Sequence, residues 1–317
     1  MATVVSTKIT AQLQEQLIEK LLDLAFLEDF GSISEDKEQP FDLTTSATVS
    51  PELTTRAEVL LKEPAVVAGL PFLARVMERL SKEVKIELLI EDGTYIDKVD
   101  TPTVVAKMSG PAQAILKGER LALNIMQRLS GIATQTRRYT SLASPKGIAI
   151  LDTRKTSPGL RVLERYGVRA GGGTNHRFGL FDAILIKDNH LKIAGGVKQA
   201  LLAADQFLKA HPHLQMSQIL SVEVSTLDEL QEAIDLGAKR VLLDNMSPDL
   251  VRQCIQKIST NTSTSSSADS DQIFVEVSGG ITLENLNGYL ISGVNAISTG
   301  ALTHSARNVD LSLEFID

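Results

Sequence analysis

Residues 219–245 read ILSVEVSTLDELQEAIDLGAKRVLLDN. A short apolar run ends at Ser225 and gives way to residues at helical spacing. Thr226 and Glu229 are placed as a capping box, in which the hydroxyl and the carboxylate each satisfy a free amide at the other end of the first turn. Gly237 supplies a helix stop, and a second apolar run starts at Arg240 and ends in Asp244-Asn245. A strand, a helix and a strand of these lengths, with no hairpin signal between them, predict a parallel βαβ unit with a right-handed crossover.

The same pattern extends in both directions. The runs IAILDTRK (148–155), AILIKDN (183–189), IFVEVSGG (273–280) and NAISTG (295–300) are short, apolar and closed by polar residues or glycine. Helical stretches separate them, including residues 226–236 and 282–290, the second stopped by Gly293. Val222-Glu-Val-Ser225 is echoed by Val275-Glu-Val-Ser278, each ahead of a helix, a glycine and another strand. Six such units with an internal echo predict an α/β barrel rather than an open sheet. The stretch 259–272, STNTSTSSSADSDQ, joins a helix to a strand and is expected to be a mobile, dispensable loop on the face away from the strand ends.

The first 130 or so residues lack this alternation. An amphipathic helix is expected near the start, with Leu13, Leu17, Leu21 and Leu22 at helical spacing. Strand-like runs follow at 56–61, 65–68, 84–90 and 104–108, divided by a helix at 71–80. They predict an α+β domain with a small, mostly antiparallel sheet. A further helix is expected over 112–143, interrupted near Gly131.

Composition limits what such a chain can do. Trp is absent and aromatic residues are 4 % of 317, so the core is built from Ala, Val, Ile and Leu, as layered parallel strands require. A single cysteine, Cys254, forms no intramolecular disulfide and no zinc site, and reads as a small buried apolar residue in a reducing, intracellular setting. The first residues lack the pattern of a secretory signal, and no stretch is apolar enough for a membrane span. A net charge of −7 excludes a general nucleic-acid binder. Between residues 151 and 192, however, eight Lys or Arg stand against four Asp or Glu, a local excess of +4.

On a barrel, strand ends converge at one mouth. These ends supply Asp152, Arg154 and Lys155; Lys187, Asp188 and Asn189; Glu223; Asp244 and Asn245; Ser278, Gly279 and Gly280; and Ser298, Thr299 and Gly300. A purely structural barrel does not need a small or charged polar group at every end. The last two ends, Ser278-Gly-Gly280 and Ser298-Thr-Gly300, fit a phosphate site, because glycine lets backbone amides approach an anion and a following helix adds partial positive charge. Arg154, Lys155, His176, Arg177 and Lys187, with the flexible run Ala170-Gly-Gly-Gly-Thr174, suit a small molecule with more than one carboxylate. Glu223 and Asp244 can hold ribose hydroxyls, ligate Mg²⁺ or stabilise a developing cation.

These motifs, in this order, resemble those of the quinolinate phosphoribosyltransferase family, the carboxylating nicotinate-nucleotide pyrophosphorylases. The resemblance rests on Gly118-Glu-Arg120, Leu129-Ser-Gly-Ile-Ala-Thr134, Asp152-Thr-Arg-Lys-Thr156, Asn175-His-Arg177 and Lys187-Asp-Asn-His190. It continues in Val222-Glu-Val224, Leu243-Asp-Asn245, Ser278-Gly-Gly-Ile281 and Thr299-Gly-Ala-Leu-Thr-His304. It implies an α/β sandwich N-terminal domain over residues 1–130, joined by a C-terminal segment at about 305–317, and an incomplete, TIM-like α/β barrel over 131–304. It also implies transfer of phosphoribosyl from phosphoribosyl pyrophosphate (PRPP) to quinolinate with release of CO₂, a step of de novo NAD biosynthesis in the cytoplasm. By the same resemblance, Arg120, Arg154, His176, Arg177 and Lys187 bind quinolinate, Arg120 coming from a neighbouring subunit of a homodimer or a hexamer built as a trimer of dimers. Lys155, Lys187, Glu223, Asp244, Ser278, Gly279, Gly280, Ser298, Gly300 and His304 bind PRPP, and Lys155, Glu223 and Asp244 act in catalysis. Mg²⁺ arrives with PRPP, near Glu223 and Asp244, and the protein alone forms no metal site.

Two departures from the family pattern are visible, the insertion SISEDKEQPF (32–41) and the long Ser-rich loop. Three other readings stay open on the residues themselves. One is a phosphoribosyltransferase that acts on a related pyridine carboxylate without decarboxylation. Another is a Schiff-base aldolase using Lys187, and the third is a silent sensor on the same barrel.

Overall fold

A computed structural model describes residues 11–31, 42–214, 220–262 and 273–316. The insertion at 32–41 and the greater part of the Ser-rich loop lie outside them, and α9, below, runs through the first residues of that loop to Thr262. The strands are β1 (Thr54–Leu61), β2 (Ala65–Val66), β3 (Lys85–Leu88), β4 (Tyr95–Ile96), β5 (Thr103–Pro111), β6 (Ala149–Leu151), β7 (Ile184–Ile186), β8 (Leu220–Val224), β9 (Arg240–Asp244), β10 (Phe274–Ser278), β11 (Ala296–Ser298) and β12 (Leu311–Ile316). The α-helices are α1 (Ala11–Phe30), α2 (Leu43–Thr48), α3 (Leu70–Leu80), α4 (Ala112–Ala143), α5 (Arg161–Ala170), α6 (Asp188–Ala194), α7 (Val197–Ala210), α8 (Leu227–Asp235), α9 (Pro248–Thr262), α10 (Leu286–Tyr289) and α11 (Ala301–His304).

The chain divides into two compact units. One comprises Thr10–Arg137, Thr156–Gly172 and Leu302–Asp317. Its sheet has the order β12-β1-β5-β3, antiparallel throughout. Along β1 the side chains of Ala57, Val59 and Leu61 are buried, while Glu58 lies on the other face, 3.5 Å from Lys107 of β5. One apolar and one polar face make this a single sheet covered by helices on one side. α1 is tied to α3 by Arg75–Glu15 (2.8 Å) and Arg79–Asp23 (2.7 Å), with Ile18 and Leu22 as its buried residues.

α4 is continuous through Gly131, contrary to the expected interruption. The glycine serves packing instead: a Cβ there would lie 1.9 Å from the Arg307 carbonyl oxygen. α5 packs as tightly, since a Cβ on Gly171 would lie 2.3 Å from the Ala133 carbonyl. The fully buried Glu164 of α5 accepts from Arg128 Nη2 at 2.6 Å and from the Ser157 amide at 3.1 Å. A buried charge of this kind is tolerable only when paired and hydrogen-bonded.

The second unit holds Arg138–Lys155 and Gly173–Ala301. Its six strands are parallel in the order β6-β11-β10-β9-β8-β7. Sequential neighbours with the first strand beside the last is barrel order. The sheet is open between β6 and β7, where a single bridge joins Leu151 to Thr174, so the barrel is incomplete. Thr226 and Glu229 form the capping box at the start of α8, with the Glu229 amide donating to the Thr226 hydroxyl at 3.1 Å. Cys254 is buried on α9, and burial pushes its thiol up to about 11, as suits an inert apolar filler. Among the described residues no helix is long and apolar enough to cross a membrane.

The connection after β10 differs from expectation. The helix there starts only at Leu286 and is one turn long, and α11 after β11 is also one turn. Any anion held there meets main-chain amides of the turns rather than the dipole of a long helix.

Candidate active site

The strand ends of the parallel unit form a linked ring. At the end of β7, Lys187 Nζ lies 2.9 Å from Glu223 Oε2 on β8. At the end of β9, Asp244 is half-buried, and burial and the neighbouring Glu223 carboxylate hold its pKa above the ordinary value, against the pull of Lys187 and Asn245. Asn245 donates its side-chain amide to Asp244 at 2.7 Å and its main-chain amide to the Ser278 carbonyl of β10 at 3.0 Å. Asn245 takes a left-handed φ of 52°, rare outside glycine. A Cβ on Gly279, itself at φ 95°, would lie 2.3 Å from the Asn245 side-chain oxygen. Only glycine fits there. The Ser278 hydroxyl reaches the Ser298 carbonyl on β11 at 3.4 Å, and the Thr299 amide donates to Leu151 of β6 at 3.1 Å.

The cationic segment crosses to the same interior. Asp152, fully buried after β6, accepts from the His176 amide at 2.7 Å and the Asn175 side chain at 2.6 Å. Asp152 is therefore an anchor for the loop rather than an open ligand. Arg177 is buried, donates to the Ala183 carbonyl at 3.0 Å, and has its pKa lowered by burial and by the nearby Arg154 guanidinium. Two guanidiniums held this close favour an anionic ligand that neutralises both. Asp182 accepts the amides of Phe178 and Gly179 and closes the turn that follows. Arg154 and Lys155 are exposed, and the Lys155 amide donates to the Thr153 hydroxyl at 3.1 Å.

The structure thus gathers Lys187, Glu223, Asp244, Ser278 and Gly279 along one arc, and Arg154, His176 and Arg177 along another. Gly280 is open to space, whereas Gly300 is buried. Ser298 is also buried, and its hydroxyl faces inward to Glu276. Arg120 and His304 belong to the other compact unit. Arg120 lies on α4, exposed, 3.9 Å from Glu119, and His304 Nδ1 lies 2.7 Å from the Ser305 hydroxyl. Sequence reasoning passed over the buried Glu276 and the half-buried Arg240 of the parallel unit. The signal was present, because the echoed Val-Glu-Val-Ser places Glu276 on β10 where Glu223 stands on β8, both in register with Leu242.

No group of three or more His, Cys, Asp or Glu side chains that could hold a metal occurs among the described residues. Glu223 and Asp244 offer two carboxylates close enough to raise one pKa. This donor set fits Mg²⁺, which keeps several waters and takes one or two carboxylates together with substrate phosphates.

The family described as quinolinate phosphoribosyl transferase matches with its N-terminal domain over residues 42–130 and its C-terminal domain over residues 132–314. A probable carboxylating nicotinate-nucleotide pyrophosphorylase of Bacillus subtilis is 41 % identical over 297 residues, 94 % of this chain and 93 % of the relative. The chloroplastic carboxylating enzyme of Arabidopsis thaliana is 38 % identical over 89 % of this chain and 80 % of its own. Among solved structures, the nicotinate-nucleotide pyrophosphorylase of Francisella tularensis superposes with a TM-score of 0.81 at 32 % identity, covering 98 % of both chains.

Proposed function

Because this chain belongs to the quinolinate phosphoribosyl transferase family, we propose that it joins quinolinate to PRPP and releases pyrophosphate and CO₂. The product is nicotinate mononucleotide, in de novo NAD biosynthesis. The observation that carries this reading is the linked ring of strand ends. Paired guanidiniums for a di-acid and a glycine-lined turn for phosphate are joined through contacts around a single barrel mouth, with Glu223 and Asp244 on the arc between them.

The chemistry follows from these groups. The bond from ribose C1 to the pyrophosphate oxygen breaks, its electron pair leaves with pyrophosphate, and the pyridine nitrogen closes on the cationic carbon. Glu223 and Asp244, at the ends of adjacent strands, favour that positive charge. Lys155, with the amides around Gly279, offsets charge on the departing pyrophosphate. When bound with PRPP beside Glu223 and Asp244, Mg²⁺ supplies further charge neutralisation. Arg154, Arg177 and Lys187 hold the two carboxylates. Once the ring nitrogen is quaternary, the bond to the C2 carboxylate breaks, its pair stays on C2 beside the positive nitrogen, and C2 then takes a proton.

Lys187 sits 2.9 Å from a carboxylate and nearly half exposed. A Schiff-base lysine is activated in an apolar pocket, and an exposed lysine paired with a carboxylate does not match that, which weighs against an aldolase. Arg120, exposed on α4, is read as reaching the site of a neighbouring copy in a homodimer or a trimer of dimers. The decisive assay supplies PRPP, Mg²⁺ and quinolinate labelled in the C2 carboxylate. Equal yields of labelled CO₂ and nicotinate mononucleotide are expected; turnover of nicotinate with no CO₂ from quinolinate would overturn the reading.

A further inference from the structure

Glu276 occupies the middle of β10, faces the interior and is 3 % exposed. Its neighbours in register are Leu242 on β9 and Ala296 on β11, both apolar. A barrel core that needed only packing would carry an aliphatic residue here, since a buried carboxylate is costly unless compensated. The compensation is specific. His176 Nε2 lies 3.4 Å from Glu276 Oε1, the Ser298 hydroxyl is directed at the carboxylate, and the Arg240 cation lies nearby on β9. Arg240 is held with its guanidinium 3.8 Å over the Phe274 ring. Glu276 Oε1 and Arg240 Nε are both buried without a well-formed hydrogen bond. Charge is therefore held at this level although neither group gains full hydrogen bonding from it.

The other side of the imidazole explains what the charge serves. His176 Nδ1 accepts the Arg177 main-chain amide at 2.7 Å, which places the ring proton on Nε2, toward Glu276. The ring is a strut between the barrel interior and the residue that carries a buried guanidinium of the di-acid pocket. We propose that Glu276 is a positioning residue for quinolinate: it fixes the His176 ring, and through that ring the Arg177 main chain, so that the pocket's cations face the two carboxylates. This rests on the quinolinate reading above. The groups facing His176 are Glu276 from β10, Asp152 after β6 and the adjoining Arg177, with Arg240 and Ser298 behind Glu276. Burial lowers the His176 pKa, but Glu276 and Asp152 together outweigh it and the opposing Arg177, and the net shift is upward.

Two measurements test this. In the unaltered protein at pH 8, ¹⁵N NMR of the His176 ring, assigned by its loss in His176→Asn, is expected to show the proton on Nε2 and an unprotonated, hydrogen-bonded Nδ1. A ring with its proton on Nδ1 overturns the proposal, independently of any activity and of whether a Glu276 variant folds. In steady-state kinetics, Glu276→Gln is expected to raise KM for quinolinate about tenfold and leave KM for PRPP within about twofold, and Glu276→Asp to recover most of the loss. In a His176→Asn background the same Glu276→Gln change is expected to add less than about twofold, because its route of action is gone. Equal losses in both backgrounds, or equal losses for both substrates, would mean a merely structural role. Failure of the quinolinate assay in the unaltered protein would sink the functional reading and leave the tautomer result standing.

Discussion

Asp244 shows how a site residue works against the stability of the fold that carries it. Its folded pKa is raised above the unfolded 3.8, by burial first and Glu223 second, so the native state binds this proton more tightly than the unfolded chain. The associated stability is present in full below the unfolded value and is lost as pH rises through the folded one. Asp244→Asn is therefore expected to raise Tm at neutral pH, with no gain near pH 3, while abolishing turnover; a lower Tm at neutral pH would contradict the pairing with Glu223. Gly279 is constrained from the other direction. Its left-handed φ and the 2.3 Å approach to Asn245 leave no room for a methyl. Gly279→Ala is expected to destabilise by about 1–3 kcal/mol and to raise KM for PRPP more than KM for quinolinate, measured by thermal melts and paired substrate titrations.

Among the elements, α4 gives the clearest case of a residue type with two local meanings. Gly inside a helical pattern signals either a break or a close approach. Here the Arg307 carbonyl decides for the second, 1.9 Å from where a Cβ would stand. Gly131→Ala, which would raise helix propensity in an isolated peptide, is expected instead to cost about 2 kcal/mol or more through overpacking. Urea titration checks this, and a stabilised variant would show that the contact is slack. The short α10 and α11 carry a related lesson. Glycine-rich strand ends forecast the turns themselves, but periodicity across 282–290 overstated the helix, because Asn285 accepts the Thr282 amide at 2.9 Å and donates to the Gly280 carbonyl at 2.9 Å, holding a turn.

At the level of the whole molecule, the functional reading predicts that Arg120 of a second copy completes the site. Arg120→Ala and Lys155→Ala are each expected to be nearly inactive alone. Co-expressed, they are expected to recover about one quarter of normal activity, since half of a random mixture is mixed dimers with one intact site each. No recovery from well-folded mixed dimers would place Arg120 outside the partner's site. The incomplete closure of the barrel belongs to the same scale. β6 pairs with β11 and β7 with β8 but not with each other, and the chain ahead of β7 meets β6 through the bridge from Thr174 to Leu151 and the bonds of Asn175 and His176 to Asp152.

The chain's own order of residues settled the parallel βα units, the capping of α8 and the polar strand ends. Each of these depends on neighbours within a few positions, where spacing translates directly into a shared face or a satisfied amide. Tertiary structure alone decided three other matters: that Asp152 anchors a loop, that Gly131 admits a carbonyl, and that Glu276 and Arg240 hold charge inside the barrel beside His176. Those outcomes depend on groups tens to hundreds of positions apart, and no local period records which distant atom arrives at a given side chain.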